Sequence, residues 1–244
     1  MSASRRANVI LLSLALPALI VLLMLGSWQV KRLQWKEALI ARIEARINAE
    51  PQPLEAIDDL YRNGGDIDYR PVKFSGRYDH SRERHYLATW KGESGFQVHT
   101  PMALDAGDYI FVNRGFVPYD RKEPATREAG QPADKVMVEG LARTASEEKP
   151  SFIVPDNDPQ KNIFYWKDID AMASSAGLSA EQVREYYVDA GPQENEGGLP
   201  VGGVTRIDLP NSHLQYAITW YGLALALVGV LLVWFLRRDE ETGE

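Results

Sequence analysis

Four histidines are the side chains of this 244-residue sequence best suited to binding a transition metal. The chain has no cysteine, which excludes disulfides and thiolate metal sites. His80 and His85 are five residues apart, so on one strand they would face opposite sides and could not share an ion. His99 alternates with Phe96 and Val98, which predicts a solvent-facing position. We interpret these three histidines as surface or hydrogen-bonded residues.

His213 differs from the other histidines because it opens an apolar run. The residues Ser212-His213-Leu214-Gln215 match a Ser-x-x-Gln capping box, which predicts that the imidazole lies in the first turn of a helix. The positive end of the helix dipole disfavours imidazolium, and a neutral imidazole is able to ligate a metal. His213 is therefore either a metal ligand or an interfacial histidine that caps the helix or forms hydrogen bonds.

Motifs of the common enzyme classes are absent from the sequence. It contains no G-x-S-x-G, H-E-x-x-H, G-x-x-x-x-G-K-[ST] or G-x-G-x-x-G. It also has no C-x-x-C-H, so a haem would be held without thioether links. The net charge of -7 argues against binding of nucleic acid, because phosphate neutralisation requires a basic surface. We expect a protein that is not an enzyme.

Two apolar runs near the ends of the chain are expected to position these residues. Residues 8–28 and 216–236 contain no Asp, Glu, Lys or Arg. A helix of this length spans about 31 Å, which matches a hydrocarbon core of about 30 Å. We predict a transmembrane helix over 8–28 and an interfacial and transmembrane helix over 213–236. The first run lacks an A-x-A-like cleavage site, so we expect an uncleaved anchor rather than a signal peptide.

Basic residues beside the second run predict the orientation of the chain. Arg237 and Arg238 follow this run directly, whereas Arg206 is the only basic residue close before it. We therefore place residues 1–7 and 237–244 in the cytoplasm and residues 29–212 in an external domain. Only seven residues precede the first run, too few for a mitochondrial transit peptide. This predicts a multi-pass protein of the bacterial inner membrane with a periplasmic domain.

The second run carries two different helical faces. One stripe contains His213, Ala217, Trp220, Ala224, Leu227 and Leu231, and the opposite stripe contains Gly222, Ala226 and Gly229. Small residues allow helices to approach closely, so we expect the glycine stripe to pack against the first helix. The His213 stripe would then face a ligand, a partner protein or lipid.

The first helix has an aromatic face that includes one cation. Trp28, Arg32 and Trp35 align on this face. The two tryptophans are typical of an aromatic belt at the membrane surface. The planar guanidinium of Arg32 suits either a ligand carboxylate or a lipid phosphate.

The central region has the pattern of a β domain. A helical pattern continues to Ala49 and ends before Pro51. From Tyr69 the apolar period changes to two, and further strands are predicted over 85–91, 96–103, 109–116, 135–143, 185–189 and 204–208. A helix is predicted over 164–176 and a flexible joint over 191–203. The predicted fold class is membrane α+β: two transmembrane helices flanking an external, mainly antiparallel β domain with one or two packed helices. The sheet would be either open or curled into a small barrel.

Five motifs occur in order along the chain: Gly26-Ser27-Trp28-Gln29 with Arg32 and Trp35-Lys36, Tyr69-Arg70-Pro71-Val72, Val112-Asn113-Arg114-Gly115-Phe116-Val117-Pro118, Val154-Pro155-Asp156-Asn157-Asp158-Pro159, and the stretch NSHLQYAITWYG over 211–222. Together they resemble the surfeit locus protein 1 family, the cytochrome c oxidase assembly proteins of bacteria and mitochondria. The resemblance covers nearly the whole chain. From the residues alone, the Asn113-Arg114-Gly115 motif is interpreted as a turn that orients the following strand.

The resemblance implies a chaperone of respiratory chain biogenesis that acts on subunit I of the oxidase. It implies noncovalent binding of haem a and its insertion into subunit I or stabilisation there. His213 matches the family's favoured axial ligand of the haem iron, and Trp220 and Trp28 are carried over as residues of the haem pocket, with Arg32 beside them. The expected partners are subunit I, haem a synthase and the lipid bilayer, and no nucleic acid. The alternative is a membrane scaffold that holds subunit I without binding haem.

Overall fold

The computed structural model describes residues 3–146, 148–205 and 209–242. The chain divides into two compact units. The membrane unit contains residues 1–42 and 208–244, and the β domain contains residues 43–207.

Two long helices begin in the terminal segments of the chain. Helix α1 covers Ala3–Ile47, and helix α4 covers His213–Thr242. Within them, Val9–Ile47 and His213–Arg237 are long and apolar enough to cross a membrane. As predicted, α1 continues well beyond Trp28 and stops before Pro51. The membrane boundaries given above for the two helices stay predictions.

The face of α4 that is buried in the membrane unit is the His213 stripe, so the predicted division of faces is wrong. Ala217 and Ala224 on this stripe are each only 3% exposed. Gly222 and Gly229 are exposed, and a Cβ added to either would meet no atom within 4 Å. The prediction failed for two reasons. Alanines permit close approach of helices as well as glycines do, and the packed face of α4 is the one whose side chains form hydrogen bonds with α1.

The described residues of the β domain form two short α-helices and seven strands. The helices are α2 (Leu54–Arg62) and α3 (Ile169–Ser175). The strands are β1 (Gln52–Pro53), β2 (Arg70–Tyr78), β3 (Arg84–Trp90), β4 (Glu93–Ala103), β5 (Tyr109–Pro118), β6 (Val136–Thr144) and β7 (Val183–Ala190). Short 3₁₀ segments lie at His80–Arg82, Tyr119–Arg121, Pro124–Gly130, Ala180–Gln182 and Glu196–Gly198.

The strands form one mixed sheet in the order β1-β2-β6-β7-β5-β4-β3. The pairs β1–β2 and β5–β7 are parallel and the others are antiparallel. Strand β2 also pairs with β4, through Arg77 with Ala103 and Tyr78 with Met102. The pairings thus form a continuous circuit of β2, β6, β7, β5 and β4, and the small barrel stays a prediction.

The two largest of the three apolar clusters found among the described residues pack α2 and α3 onto this sheet. The larger one brings α2 against β2, β5, β6 and β7 and includes Ile57, Val72, Val112 and Val188, all fully buried. The second packs α3 against β5 and β7 through Phe111 and neighbouring residues. These clusters fix the strands whose ends and edges carry the polar side chains discussed below.

The predicted strands from Tyr69 to Arg143 and at 185–189 are confirmed, but the predicted helix over 164–176 begins too early. Phe164 is held as an extended residue, since its N–H donates to the carbonyl of His85 and its carbonyl accepts from Leu87. The helix starts only after Asp168, whose side chain caps it by accepting from the N–H of Ala171 at 2.9 Å.

Several other expectations need correction. Strand β1 and helix α2 were not predicted. Of the predicted strand 204–208, Val204 and Thr205 lie in no strand, and Arg206 and the two residues after it lie outside the described residues. The segment 191–203 is attached to the sheet rather than free, because Val201 exchanges two backbone hydrogen bonds with Phe116, at 2.8 and 2.9 Å.

Candidate functional site

His213 lies at the head of α4 and contacts a polar side chain of α1. It is the first residue of the helix, as the capping pattern predicted, and it is half-buried. Its Nδ1 lies 2.7 Å from Oε1 of Gln29. Because an amide oxygen only accepts, Nδ1 carries the proton in this pair. The lone pair of a neutral ring then lies on Nε2, for which the described residues offer no hydrogen bond.

Gln29 supports the imidazole in the way that metal-binding histidines are commonly supported. Its side chain is buried between the helices, with the residue only 8% exposed. A hydrogen bond to one ring nitrogen fixes the tautomer and the orientation of the ring, and it makes the other nitrogen a better ligand. The pair therefore presents one oriented imidazole nitrogen at the end of an apolar helix.

The residues just before Gln29 contact α4 through Tyr221. A Cβ on Gly26 would lie 2.9 Å from the Tyr221 ring, so glycine provides the space that the ring occupies. Ser27 Oγ lies 3.1 Å from the Tyr221 hydroxyl. Three residues of the Gly26-Ser27-Trp28-Gln29 motif are thus explained by contacts with the NSHLQYAITWYG stretch.

The other predicted site residues are Trp220, Trp28 and Arg32, and the structure does not place all of them in contact with His213. Trp220 is half-buried on the same face of α4. Trp28 is 56% exposed, and the exposed Arg32 places its guanidinium 3.9 Å from the centre of the Trp35 ring. Among the residues described in the membrane unit, no hydrogen bond, ion pair or ring contact joins Trp28 or Arg32 to His213.

The donor set fits an axial ligand of haem iron. A single neutral imidazole whose second nitrogen is hydrogen-bonded is a common axial donor. Within residues 3–146, 148–205 and 209–242, no group of three or more His, Asp or Glu side chains is placed to hold a metal ion by itself. Among the described residues, His213 thus offers a metal a single protein ligand.

Comparison with known proteins finds sequence similarity over most of this chain. A model described as "SURF1 family" matches residues 16–225, a range that includes Gln29, His213 and Tyr221. The chain belongs to the SURF1 family. Surfeit locus protein 1 of Rattus norvegicus is 39% identical over 230 residues, which cover 88% of this chain and 72% of the rat protein.

Further relatives extend the same similarity. Surfeit locus protein 1 of Homo sapiens is 40% identical over 230 residues, covering 87% of this chain and 73% of the human protein. A SURF1-like protein of Monosiga brevicollis is 37% identical over 231 residues, covering 88% of this chain and 82% of that protein. The family resemblance predicted from the five motifs is confirmed.

The Asn113-Arg114-Gly115 motif of this SURF1-family chain lies within β5 and not in a turn, which corrects the prediction. Arg114 is 2% exposed, and its guanidinium lies over the Tyr78 ring and donates to Asn195 Oδ1 at 3.0 Å. Gly115 has a φ of +126°, and a Cβ there would collide with the carbonyl of Val201. The motif attaches the 191–203 segment to the sheet.

His99 is buried, so its predicted solvent-facing position is wrong. It is 0% exposed and touches the edges of Tyr86 and Tyr187. The alternation failed because β4 is covered on both faces and its pairing with β5 shifts register between Gln97 and His99. Burial lowers the pKa of His99 to about 3, aided by the charge of Lys167.

The remaining two histidines are hydrogen-bonded in the β domain. His85 is buried, and its Nε2 lies 3.0 Å from Glu83 Oε1. His80 is half-buried, and its Nε2 lies 3.0 Å from the carbonyl of Pro132. Both agree with the interpretation of these histidines as hydrogen-bonded residues.

Sequence reasoning did not identify Gln29 as a partner of His213. The sequence feature that could have identified Gln29 is its polar side chain near the end of the first apolar run, within a motif of the family. Hydropathy alone does not show which residues of two antiparallel helices lie at the same height.

Proposed function

We propose that this protein is an assembly factor for cytochrome c oxidase that binds haem a noncovalently through His213. It assists insertion of the haem into subunit I of the oxidase, or its stabilisation there, and it is not an enzyme. The observation that carries the proposal is the hydrogen bond between His213 Nδ1 and Gln29 Oε1, 2.7 Å long. This bond orients the imidazole and leaves Nε2 as the ligand atom.

The position of His213 suits an amphipathic cargo. Haem a has an isoprenoid tail, which favours lipid, and two propionates, which favour polar surroundings. His213 begins a helix whose first 25 residues are apolar enough to span a membrane, which supports the proposal that its ring lies at the membrane surface, where the two environments meet. A haem held there keeps its tail beside apolar side chains and its carboxylates near water.

Three further residues are proposed as neighbours of the haem. Trp220 lies on the face of α4 that begins with His213, about two turns along the helix. Arg32 and Trp28 are exposed on α1 and are free to meet a ligand that extends beyond the packed face. Arg32 would pair with a propionate, for which its planar guanidinium is suited.

Haem content after co-expression with the enzymes of haem a synthesis tests the proposal. The purified protein is expected to contain haem a, His213→Ala to lose it, and Gln29→Leu to retain it with a weakened and altered spectrum. Gln215→Ala is the matched control, because Gln215 is an exposed residue of the same turn. Unchanged haem content and spectrum in His213→Ala would remove His213 from the site.

The alternative function is a scaffold that holds subunit I without binding haem. The same preparation distinguishes it. Protein that copurifies with subunit I and contains no haem a in several detergents would support the scaffold. The proposed partners are the same in both cases: subunit I, haem a synthase and the lipid bilayer.

We further propose that the protein lies in a bacterial inner membrane with both termini in the cytoplasm and the β domain in the periplasm. The support is Arg237 and Arg238 directly after the second apolar run. A reporter that is active only outside the cytoplasm is inserted at Phe152, which is 93% exposed. Activity is expected there and not after the C-terminus, and the reverse pattern would overturn the orientation.

A further inference from the structure

One cleft of the β domain combines aromatic and cationic side chains. Its volume is about 850 Å³. The aromatic lining consists of Tyr69, Tyr86, Trp90 and Tyr187, and the half-buried cations beside them are Arg143 and Lys167. All six residues belong to the β domain, so the cleft is a separate feature from His213.

Lys167 has spare hydrogen-bonding capacity within this cleft. Its side chain is only 19% exposed. The ammonium donates to the Tyr187 hydroxyl at 3.1 Å and lies 3.8 Å from Asp189 Oδ1, beyond hydrogen-bonding distance. An ammonium group has three N–H donors, and one hydrogen bond to a described residue uses only one of them. A mostly buried cation with two spare donors favours an anionic ligand.

Arg143 is also loosely paired. Its Nε lies 3.3 Å from Asp68 Oδ1 and its Nη1 lies 3.4 Å from Asp189 Oδ2, whereas charge-assisted hydrogen bonds are typically about 2.7–2.9 Å. The guanidinium lies 4.2 Å from the centre of the Tyr69 ring. Its five donors therefore exceed what the two carboxylates accept.

Asp189 does not use all the N–H donors of Lys167 and Arg143, because neutral groups also donate hydrogen bonds to its carboxylate. Asn113 Nδ2 donates to it at 2.7 Å and Thr205 Oγ1 at 3.0 Å. These bonds are shorter than its contacts with Lys167 and Arg143. The Asp189 carboxylate is thus held in part by neutral donors, and the N–H donors of Lys167 and Arg143 that Asp189 and Asp68 leave unused are available to a ligand carboxylate.

Tyr69 supports this interpretation through its backbone. Its φ is +62°, which lies in the left-handed region of backbone conformation. Bulky side chains such as tyrosine rarely adopt this conformation. Such strain persists only where the surrounding structure enforces it, and it is common at ligand sites. Here it places the Tyr69 ring under Arg143, at the wall of the cleft.

We propose that this cleft binds a planar organic anion, an aromatic carboxylate. Its carboxylate contacts Lys167 and Arg143, and its ring packs against the tyrosines and Trp90. The aromatic walls select a flat apolar body, since aromatic pairs are favourable beyond the area they bury. The two cations select a negative charge.

Equilibrium dialysis with radiolabelled 2-naphthoate tests the proposal on the full chain in detergent, with empty micelles as the blank. Saturable binding is expected. The uncharged isostere 2-naphthamide should bind at least about tenfold more weakly, because hydrogen bonds to a charged group contribute about 1.5–3 kcal/mol. Lys167→Met should weaken naphthoate binding by about the same factor, whereas Lys73→Met, an exposed lysine of β2, should leave it unchanged.

A second variant keeps the test valid if Lys167→Met fails to fold. Ala88 is a half-buried residue of the cleft wall, so the larger side chain of Ala88→Trp fills the cleft and leaves both cations in place. It should abolish saturable naphthoate binding. Equal binding of naphthoate and naphthamide, no saturable naphthoate binding, or naphthoate binding that survives Ala88→Trp would each overturn the proposal.

Discussion

The membrane unit and the β domain bury opposite kinds of side chain. In the membrane unit Leu14 and Leu225 are 70% and 74% exposed, while Gln29 is buried at its hydrogen bond with His213. In the β domain the apolar side chains that pack the helices against the sheet are buried, and the Arg127–Glu83 ion pair is buried as well. The first pattern suits a surface covered by lipid, and the second suits a surface covered by water.

This difference determines what a polar residue does in each unit. In the apolar runs 8–28 and 216–236 few polar side chains are present. The polar side chains between α1 and α4 select the faces that pack and orient the candidate ligand. In the β domain the buried charges attach loops to the sheet, so their loss should appear as lost stability.

The largest effect is expected from a buried ion pair of the β domain. Arg127 is 5% exposed and donates to the buried carboxylate of Glu83. Arg127→Met leaves that carboxylate without its cation and should lower the free energy of unfolding by about 3–5 kcal/mol. Lys135→Met is the control, because it removes an exposed pair with Asp105 and should change this quantity by at most about 1 kcal/mol.

Denaturant unfolding followed by tryptophan fluorescence measures both variants. Equal losses of stability would contradict the assignment of a structural role to the buried pair. Burial alone would raise the pKa of Glu83, but the hydrogen bond from His85 and the charge of Arg127 outweigh it and lower the pKa. The stabilisation by this group should therefore be present at neutral pH and decrease as the pH falls below about 4.5.

The second effect is a pH dependence carried by His99. Burial lowers its pKa to about 3, whereas an unfolded histidine titrates near 6.5. Between these values the unfolded chain binds the extra proton, so stability should decrease as the pH falls, by up to about 1.4 kcal/mol per pH unit. His99→Phe removes this contribution.

Unfolding free energies of the parent and His99→Phe at pH 7 and pH 5 provide the measurement. The parent should lose more stability than the variant over this interval. Equal slopes would show that His99 is not held neutral in the folded chain.

A smaller effect is expected where α1 and α4 pack. A side chain at Gly26 would meet the Tyr221 ring, whereas one at Gly222 meets nothing within 4 Å. Gly26→Leu should therefore destabilise the helix pair by about 1–3 kcal/mol, as overpacking does, and Gly222→Leu should have little effect. Gln29→Cys with His213→Cys, joined by a short thiol crosslinker in this cysteine-free chain, reports the pairing.

Crosslinking yield is then compared between the two leucine variants. Loss of crosslinking in Gly222→Leu with retention in Gly26→Leu would restore the division of faces first predicted from the sequence.

The smallest effect is expected from one hydrogen bond between the helices. Tyr221→Phe removes the contact with Ser27 and keeps the ring in place. Such bonds contribute about 0.6 kcal/mol on average, so the crosslinking yield should decrease only slightly. A loss as large as that in Gly26→Leu would mean that the hydroxyl, and not the ring, determines the packing.

The sequence predicted the elements of this molecule better than their contacts. Apolar period and helix-capping residues identified six strands and the start of α4 at His213, because these signals are local. The packed face of α4, the buried position of His99 and the partner of His213 depend on residues far apart in the chain. Small residues lie on both faces of α4, so composition alone did not decide between them.

Rescue by free imidazole tests the proposed haem ligand most directly. In protein produced with haem a, His213→Gly should lose the axial ligand and the spectrum of the bound haem, and added imidazole should restore that spectrum by occupying the space of the missing ring. Imidazole should have no such effect on the parent protein. If the spectrum of His213→Gly equals that of the parent without imidazole, His213 does not ligate the iron, and the account of this site is wrong.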